Sequence, residues 1–225
     1  MGKDGFQWFV GVVEDRQDPK KLGRVRVRCL GYHSESISDL PTDKLPWAHP
    51  MNPITSATVS GVGQTPLGVV EGTWVVGFFQ DTDEAQQPII MGTLPGVPKT
   101  LPTKDAGKGF QDRLNGNYPK YKDEPDVNRL AVNDPDNPHP SLTIRKADRE
   151  TNIGRADFNP IDVQRANAPR PFNLSGDDGT KFDEPETTYK TQYPYNHVYE
   201  TEAGHIKEFD DTPNSERIHE RHSTG

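Results

Sequence analysis

The chain has 225 residues, of which 31% are hydrophobic and 27% charged, with 21 prolines and 20 glycines. The length leaves room for one or two domains. A mean hydropathy of −0.87 implies a small core and a long segment that needs a partner for its order, because so polar a chain buries too little to offset ordering entropy. The net charge of −8 argues against nonspecific nucleic-acid binding, which draws on cations. The single cysteine, Cys29, excludes an intrachain disulfide and suits a reducing site of synthesis. The start MGKDGFQW has no apolar signal core, and no run approaches the about 18 apolar residues of a membrane span, so a soluble protein without a secretory leader is expected.

The first stretch, FQWFVGVV (residues 6–13), is apolar enough for a buried strand. Asp18-Pro19 supplies turn chemistry: proline fixes φ, and the aspartate carboxyl reaches backbone N–H groups ahead of it. Gly23 is expected to end the turn. RVRVRCL (residues 24–30) then alternates at period two, with Val25, Val27 and Cys29 on one face and Arg24, Arg26 and Arg28 on the other. The plain reading of the second face is solvated charge; the alternative is contact with an acidic partner or another copy. Cys29, in phase with the valines, reads as a small buried apolar group.

LPTDKLPWAHPM (residues 40–51) reads as a loop leading to a short strand at Trp47, and residues 54–68 as a flexible Gly/Ser/Thr-rich loop. Gly61-Val62-Gly63 is no phosphate loop, since neither a Lys-Ser/Thr pair nor a helix follows. TWVVGFFQ (residues 73–80) is apolar on both alternate faces, as in a strand covered on both sides. In a small barrel the outer cover must then come from elsewhere in the chain or another subunit. QPIIMGTL (residues 87–94) is the last strand of the block. About five strands with no helical period, and Gly72 and Gly77 at tight corners, predict an all-β N-terminal half: a five-stranded barrel of the oligonucleotide/oligosaccharide-binding (OB) type over residues 1–98.

Residues 99–186 are dominated by proline and polar residues, with NDPDNPHP (133–140) as the extreme. They predict an extended irregular arm that wraps a surface, with at most a short helix at 141–150 capped by Ser141. Order returns over residues 187–225: strands at 193–201, 205–209 and 217–222, joined by turns, form a meander. Its apolar side is too thin for one chain to bury, and copies wound about a common axis would solve that. The chain stops on a turn signal, as though a further strand followed.

The residues WFVGVVEDRQDPKKLGRVRVRCLGYH, LPTDKLPW, GVVEGTWVVGFF and QPIIMGTLPG resemble the N-terminal barrel of the central spike proteins of contractile phage tails. The resemblance is to the tail-associated lysozyme of T-even phages and, more distantly, to the valine-glycine repeat spike of type VI secretion. It rests on Asp18, Pro19, Gly23, Arg24, Trp47, Gly72, Gly77, Pro88 and Gly92. A second block, residues 184–225, resembles the entry to the spike's trimeric β-helix at Gly204, His205, Asp210, Asp211 and Pro213. The resemblance implies a structural, non-enzymatic component of the virion tail baseplate, synthesised in the host cytoplasm. It implies a homotrimer that joins the trimeric baseplate hub to a spike shaft or tip protein, touches the bacterial envelope transiently, and needs no cofactor or metal. With the strand patterns above, the hub or trimer contacts are expected on Arg24, Arg26 and Arg28 and on Trp74, Val76 and Phe78, or on the opposite set, Val75 and Phe79. Two departures stand out. The stretch between the blocks is too short for the lysozyme domain found there in T-even phages, with its catalytic Glu, Asp and Thr, and the long β-helix is missing; the shaft is then a separate polypeptide, or the chain is a fragment or processed product.

Two rival functions make their own demands on the residues. A peptidoglycan hydrolase needs paired carboxylates, and Asp123/Glu124, Asp134/Asp136, Asp177/Asp178 and Asp210/Asp211 are pairs, but all sit in turn-rich stretches expected to be exposed, with no pocket to raise a pKa. Asp210-Asp211-Thr212-Pro213 reads more simply as a turn. His219 and His222 are spaced H-x-x-H, but strand positions three apart face opposite sides, so one chain cannot aim both at one metal. A single-stranded nucleic-acid barrel needs exposed aromatics beside a basic groove, and the aromatics here lie in runs that read as buried.

Overall fold

The computed structural model describes residues 7–81, 84–103, 107–142 and 189–223. It divides into two compact units, Met1–Asp126 and Val127–Gly225.

The first unit is a closed five-stranded barrel: β1 (Gln7–Asp15), β2 (Val25–Cys29), β3 (Trp47–Pro50), β4 (Trp74–Phe79) and β5 (Pro88–Thr93). The order around the wall is β1-β2-β3-β5-β4, and β4 pairs with β1 to close it. All pairings are antiparallel except β3 with β5. This is the OB topology expected from the sequence. A 3-10 turn (Thr42–Lys44) precedes β3. The core is Phe9, Val13, Val25, Val27, Cys29, Ala48, Val75, Phe79 and Ile90, the inward residues of all five strands. Cys29 lies among them, and burial pushes its thiol up to about 12. Native protein is therefore expected to resist iodoacetamide at pH 8, and urea-unfolded protein to react at one site per chain, scored by intact mass.

The β1–β2 turn is organised by Asp18. Its carboxylate accepts the backbone N–H of Lys20 (3.0 Å) and Leu22 (2.9 Å) and a fork from Arg24, Nη2 to Oδ1 at 2.7 Å and Nε to Oδ2 at 3.1 Å. The Arg24 guanidinium, aided by the backbone donors, holds that carboxyl well below the usual carboxylate range. Gly23, at φ 75°, ends the turn. Gly77 in β4 is a packing requirement: a Cβ there would lie 2.0 Å from the Ile89 carbonyl oxygen and 2.7 Å from the Phe9 ring. Of the other barrel residues carrying the resemblance, Trp47 opens β3, Gly72 lies in the turn before β4, and Pro88 and Gly92 lie in β5.

Most of the expected arm, residues 143–186, lies outside the described residues, as do Asp177 and Asp178. The part from 107 to 126 belongs to the barrel unit. Residues 107–109 run along the segment after β2: Gly109 N–H donates to the Glu35 carbonyl at 2.7 Å, and Ser36 bridges to Lys108.

The second unit is the expected meander, β6 (Asn196–Glu200), β7 (Ile206–Asp210) and β8 (Arg217–Arg221), with a short helix, α1 (Arg129–Val132), ahead of it in the chain. Nothing in the sequence marks the α1 helix. Four residues carry no periodic signal; Asn128 caps it by accepting the Leu130 N–H at 2.9 Å, and Asn133 ends it in the left-handed region. The helix expected at 141–150 falls mainly outside the described residues. Residues 140–142 are helical, and their cap is His139, not Ser141: the Ser141 N–H reaches His139 Nδ1 at 3.2 Å and the Leu142 N–H reaches the His139 carbonyl at 2.9 Å. Gly204 and His205 form the β6–β7 turn, and Asp211 and Pro213 the β7–β8 turn.

Candidate functional site

The arginine row does not face solvent. Arg24 is held by Asp18. Arg26 lies over the Trp47 ring, 4.4 Å from its centroid, and its Nη1 donates to the Asp43 and Leu45 carbonyls at 2.6 and 2.5 Å. Arg28 is fully buried on the outside of the barrel wall beside Glu14, which is fully buried too. The pair is bidentate, Nε to Oε1 at 2.6 Å and Nη2 to Oε2 at 3.1 Å. Its remaining valences are met by two covering segments. Arg28 donates to the carbonyls of Ser34 and of Leu40 (2.8 Å), while Glu14 accepts from the Thr42 hydroxyl (2.8 Å) and the Phe110 N–H (2.7 Å). Gly109 lies directly on this pair, since a Cβ there would be 2.2 Å from Arg28 Nε. Arg28 is thus unavailable as a docking residue, because residues 34–42 and 107–110 cover it. The solvated reading of the arginine face is corrected as well: each of the three has an intrachain partner.

The closed barrel also settles the phase of β4. Val75 and Phe79 are fully buried core residues, so their candidacy as docking residues is withdrawn. Trp74, Val76 and Phe78 are on the outward set, paired across β1 with Val12, Val10 and Trp8. Trp8 is 54% and Trp74 42% exposed; Phe78 is buried, with the Trp8 ring edge-on at 5.9 Å. Met91, in β5, is exposed as well. The outer wall over β1 and β4 is an aromatic and aliphatic strip that the described residues leave partly open, whereas the alternate wall over β2 is closed by its own chain.

The second unit divides its two sheet faces sharply. One face is a buried polar cluster. Glu208 accepts from Asn196 Nδ2 (2.9 Å) and Arg217 Nη2 (2.7 Å), and its other oxygen lies 2.6 Å from His219 Nδ1. Asp210 accepts from the hydroxyls of Thr191 and Thr212 (2.6 Å for Thr212) and from the Thr212 N–H (3.0 Å). Burial pushes both carboxyls up, but these bonds and the Arg217 charge outweigh it, and both settle below their usual values. Asp210 is buried, not exposed as expected of a turn residue, although the turn itself is as read. On the other face, row by row, lie His197, Phe209 and Ile218, then Tyr199, Lys207 and Glu220. Tyr199, Phe209 and Ile218 are all exposed.

His139 joins its cap to the sheet: Nδ1 faces Ser141 Oγ at 2.8 Å and Nε2 faces Glu200 Oε2 at 3.1 Å. Nδ1 accepts from Ser141, which leaves the proton on Nε2 for Glu200. The array has the order of a nucleophile, base and orienter, but Ser141 Oγ is buried and shares its acceptor with its own amide, which is cap geometry. Among the described residues no group of three or more His, Cys, Asp or Glu is placed to hold a metal. His219 faces Glu208, while the His222 ring lies tilted against His205 with centroids 4.4 Å apart, so the two do not converge.

The closed five-stranded wall, with its β1-β2-β3-β5-β4 order, defines the class of OB-type barrels, here with one outer side sealed by its own chain and Trp8 and Trp74 exposed on another. The chain belongs to the Gp5 N-terminal OB domain family, whose model matches residues 31–170. It is 42% identical, across its whole length, to protein Gp5 of Vibrio phage KVP40, of which it covers 55%. It is 45% identical over 125 residues to the pre-baseplate central spike protein Gp5 of Enterobacteria phage T4, covering 53% of this chain and 21% of that one. The chain therefore spans about half the length of the first relative and about a fifth of the second.

Proposed function

We propose that the chain is a structural part of the central spike of a contractile-tail baseplate in the virion, and that it joins the hub to the spike. The observation that carries this is the partly open apolar strip on the outer wall of a Gp5-family barrel, where Trp8 and Trp74 are exposed, Val76 is half-buried and Phe78 lies beneath Trp8. A strip of large apolar groups on a surface otherwise rich in charge marks a protein contact, and aromatic anchors dominate such contacts. The strip seats on the hub. The exposed row Tyr199, Phe209 and Ile218 seats on neighbouring copies, which makes the second unit the start of a homotrimer continued by a shaft or tip. Force from tail contraction then passes from hub to envelope through the barrel wall and its buried ion pair. In this reading residues 1–98 act as the docking barrel, 99–186 as the wrapping arm, of which 107–126 belong to the barrel unit, and 187–225 as the trimeric entry.

The role is non-enzymatic. A glycosidase needs one carboxyl raised to act as an acid, whereas the buried carboxyls of Glu208 and Asp210 are held below their usual values by their hydrogen bonds and by Arg217. A zymogram with purified protein is expected to show no clearing of peptidoglycan, and clearing abolished by one carboxylate substitution would overturn the structural role. For docking, the hub protein of the same virion is immobilised and the full chain passed over it. Wild type is expected to bind, and Trp74→Asp to bind about 100-fold more weakly, as for a central aromatic anchor. Sedimentation should give a trimer for the full chain or its hub complex, and a smaller species when residues 187–225 are removed.

A further inference from the structure

The loop between β3 and β4 has a composition unlike the rest of the molecule. From Met51 to Val70 there is no Asp, Glu, Lys, Arg or His, in a chain that is 27% charged. Ile54, Val59, Val62 and Leu67 all project from it in the open, with Val59 65%, Val62 63% and Leu67 73% exposed. A surface loop of this length ordinarily carries charge, and four open aliphatic groups on one loop cost solubility unless something covers them.

The loop is also shaped. Ser56 is its clasp: the Gln64 N–H donates to Ser56 Oγ at 2.7 Å, and Ser56 Oγ donates to the Gln64 carbonyl at 3.2 Å. Asn52 Nδ2 reaches the same carbonyl at 3.2 Å, and the tip closes through the Val62 N–H to the Val59 carbonyl at 2.9 Å. Gly63, at φ 97°, makes the clasp possible, because a Cβ there would sit 2.6 Å from Ser56 Oγ and 2.7 Å from the Ala57 nitrogen. Near its base, Pro66 packs on Gly23 of the β1–β2 turn. Such a loop presents its apolar groups without first being ordered, which removes part of the entropy cost of binding.

We infer that residues 51–68 are a second docking element, a preformed apolar plug that enters an uncharged apolar groove on the hub protein. The inference rests on the hub role proposed above and adds to it a contact separate from the barrel-wall strip. The groove is uncharged by complementarity: a charged group buried against this uncharged loop would find no counter-ion and would lose its hydration unrepaid. A lipid surface fits less well. The stretch has neither the cations nor the Trp and Tyr anchors that interfacial segments use, and a chain of net charge −8 is repelled by anionic headgroups.

The test measures binding of the full chain to the purified hub protein of the same virion, and to neutral phosphatidylcholine vesicles, for wild type, Val59→Asp/Val62→Asp, and Gly63→Ala. Wild type is expected to bind the hub with an affinity that changes less than about threefold between low and high salt, since no ion pair forms at the plug. The double aspartate variant is expected to bind the hub about 30-fold more weakly at an unchanged melting temperature, because both positions are exposed in the free protein. Gly63→Ala, which keeps every apolar side chain, is expected to lose about tenfold through loop shape alone. Wild-type affinity in the aspartate variant overturns the plug and leaves the hub role standing. Failure of wild type to bind the hub overturns both. Vesicle binding that the aspartate variant abolishes, with hub binding unaffected, assigns the loop to lipid and overturns the plug.

Discussion

Glu14→Ala is expected to destabilise the barrel by about 3–5 kcal/mol, because it leaves the Arg28 guanidinium buried with no counter-charge. Both side chains are fully inaccessible, so water cannot replace the lost carboxylate without opening the cover at residues 34–42 and 107–110. The loss also strips the Phe110 N–H and the Thr42 hydroxyl of their acceptor. All three tryptophans of the chain, Trp8, Trp47 and Trp74, lie in this unit, so urea unfolding followed by tryptophan fluorescence reports on it. The midpoint should fall at nearly constant slope. Glu14→Met/Arg28→Met is expected to recover much of the loss, since an apolar pair needs no desolvated charges. A loss under about 1 kcal/mol for Glu14→Ala would mean that the pair is hydrated and the cover is not tight.

In the second unit, Glu208→Ala is expected to cost about 3 kcal/mol, because one carboxylate is the shared acceptor of Asn196, Arg217 and His219. This unit contains no tryptophan and four of the seven tyrosines, so near-ultraviolet circular dichroism of tyrosine follows it. The same cluster sets an acid limit. Glu208 and Asp210 have folded pKa values below their ordinary 4.5 and 3.8. A carboxylate with a depressed folded value contributes its full stabilisation above the unfolded pKa, and that contribution is lost as pH falls through the folded one. The tyrosine signal should therefore hold from pH 7 to about pH 5 and weaken below about pH 4.5. Glu208→Gln should flatten that dependence at lower overall stability. A wild-type unit whose stability is constant down to pH 3 would remove the cluster's structural role.

The strands were legible because their patterns depend only on neighbours. RVRVRC alternates, so one face had to be apolar and the other basic whatever it met, and Asp18 and Gly23 mark the turn by chemistry that acts within six residues. The fate of the basic face was not legible. Arg28 is buried by Glu14, fourteen positions away, and Glu14 in turn by Phe110, ninety-six away; nothing near Arg28 announces either. β4 was ambiguous for a different reason. With apolar residues at every position but one, WVVGFF has no phase, and Val75 and Phe79 looked as eligible for docking as Trp74, Val76 and Phe78. The His139 cap was missed because histidine is an uncommon cap and its partner Glu200 lies sixty-one residues on. Residues 54–68 read as a flexible loop by their Gly, Ser and Thr content, and the absence of charge over 51–70 is visible only when that wider stretch is counted.

Local chemistry in the chain thus determines an all-β barrel, its Asp-Pro and Gly-Arg turn, and a three-stranded meander, since each depends on residue order and short-range bonding. The family follows from the same residues. Which side of the barrel is open is a matter of closure: only when β4 pairs with β1 do Val75 and Phe79 turn inward, and only when residues 107–110 fold back is the arginine wall sealed. Charge on the surface and charge in the interior are written with the same letters, and what separates them is the distant segment that excludes water.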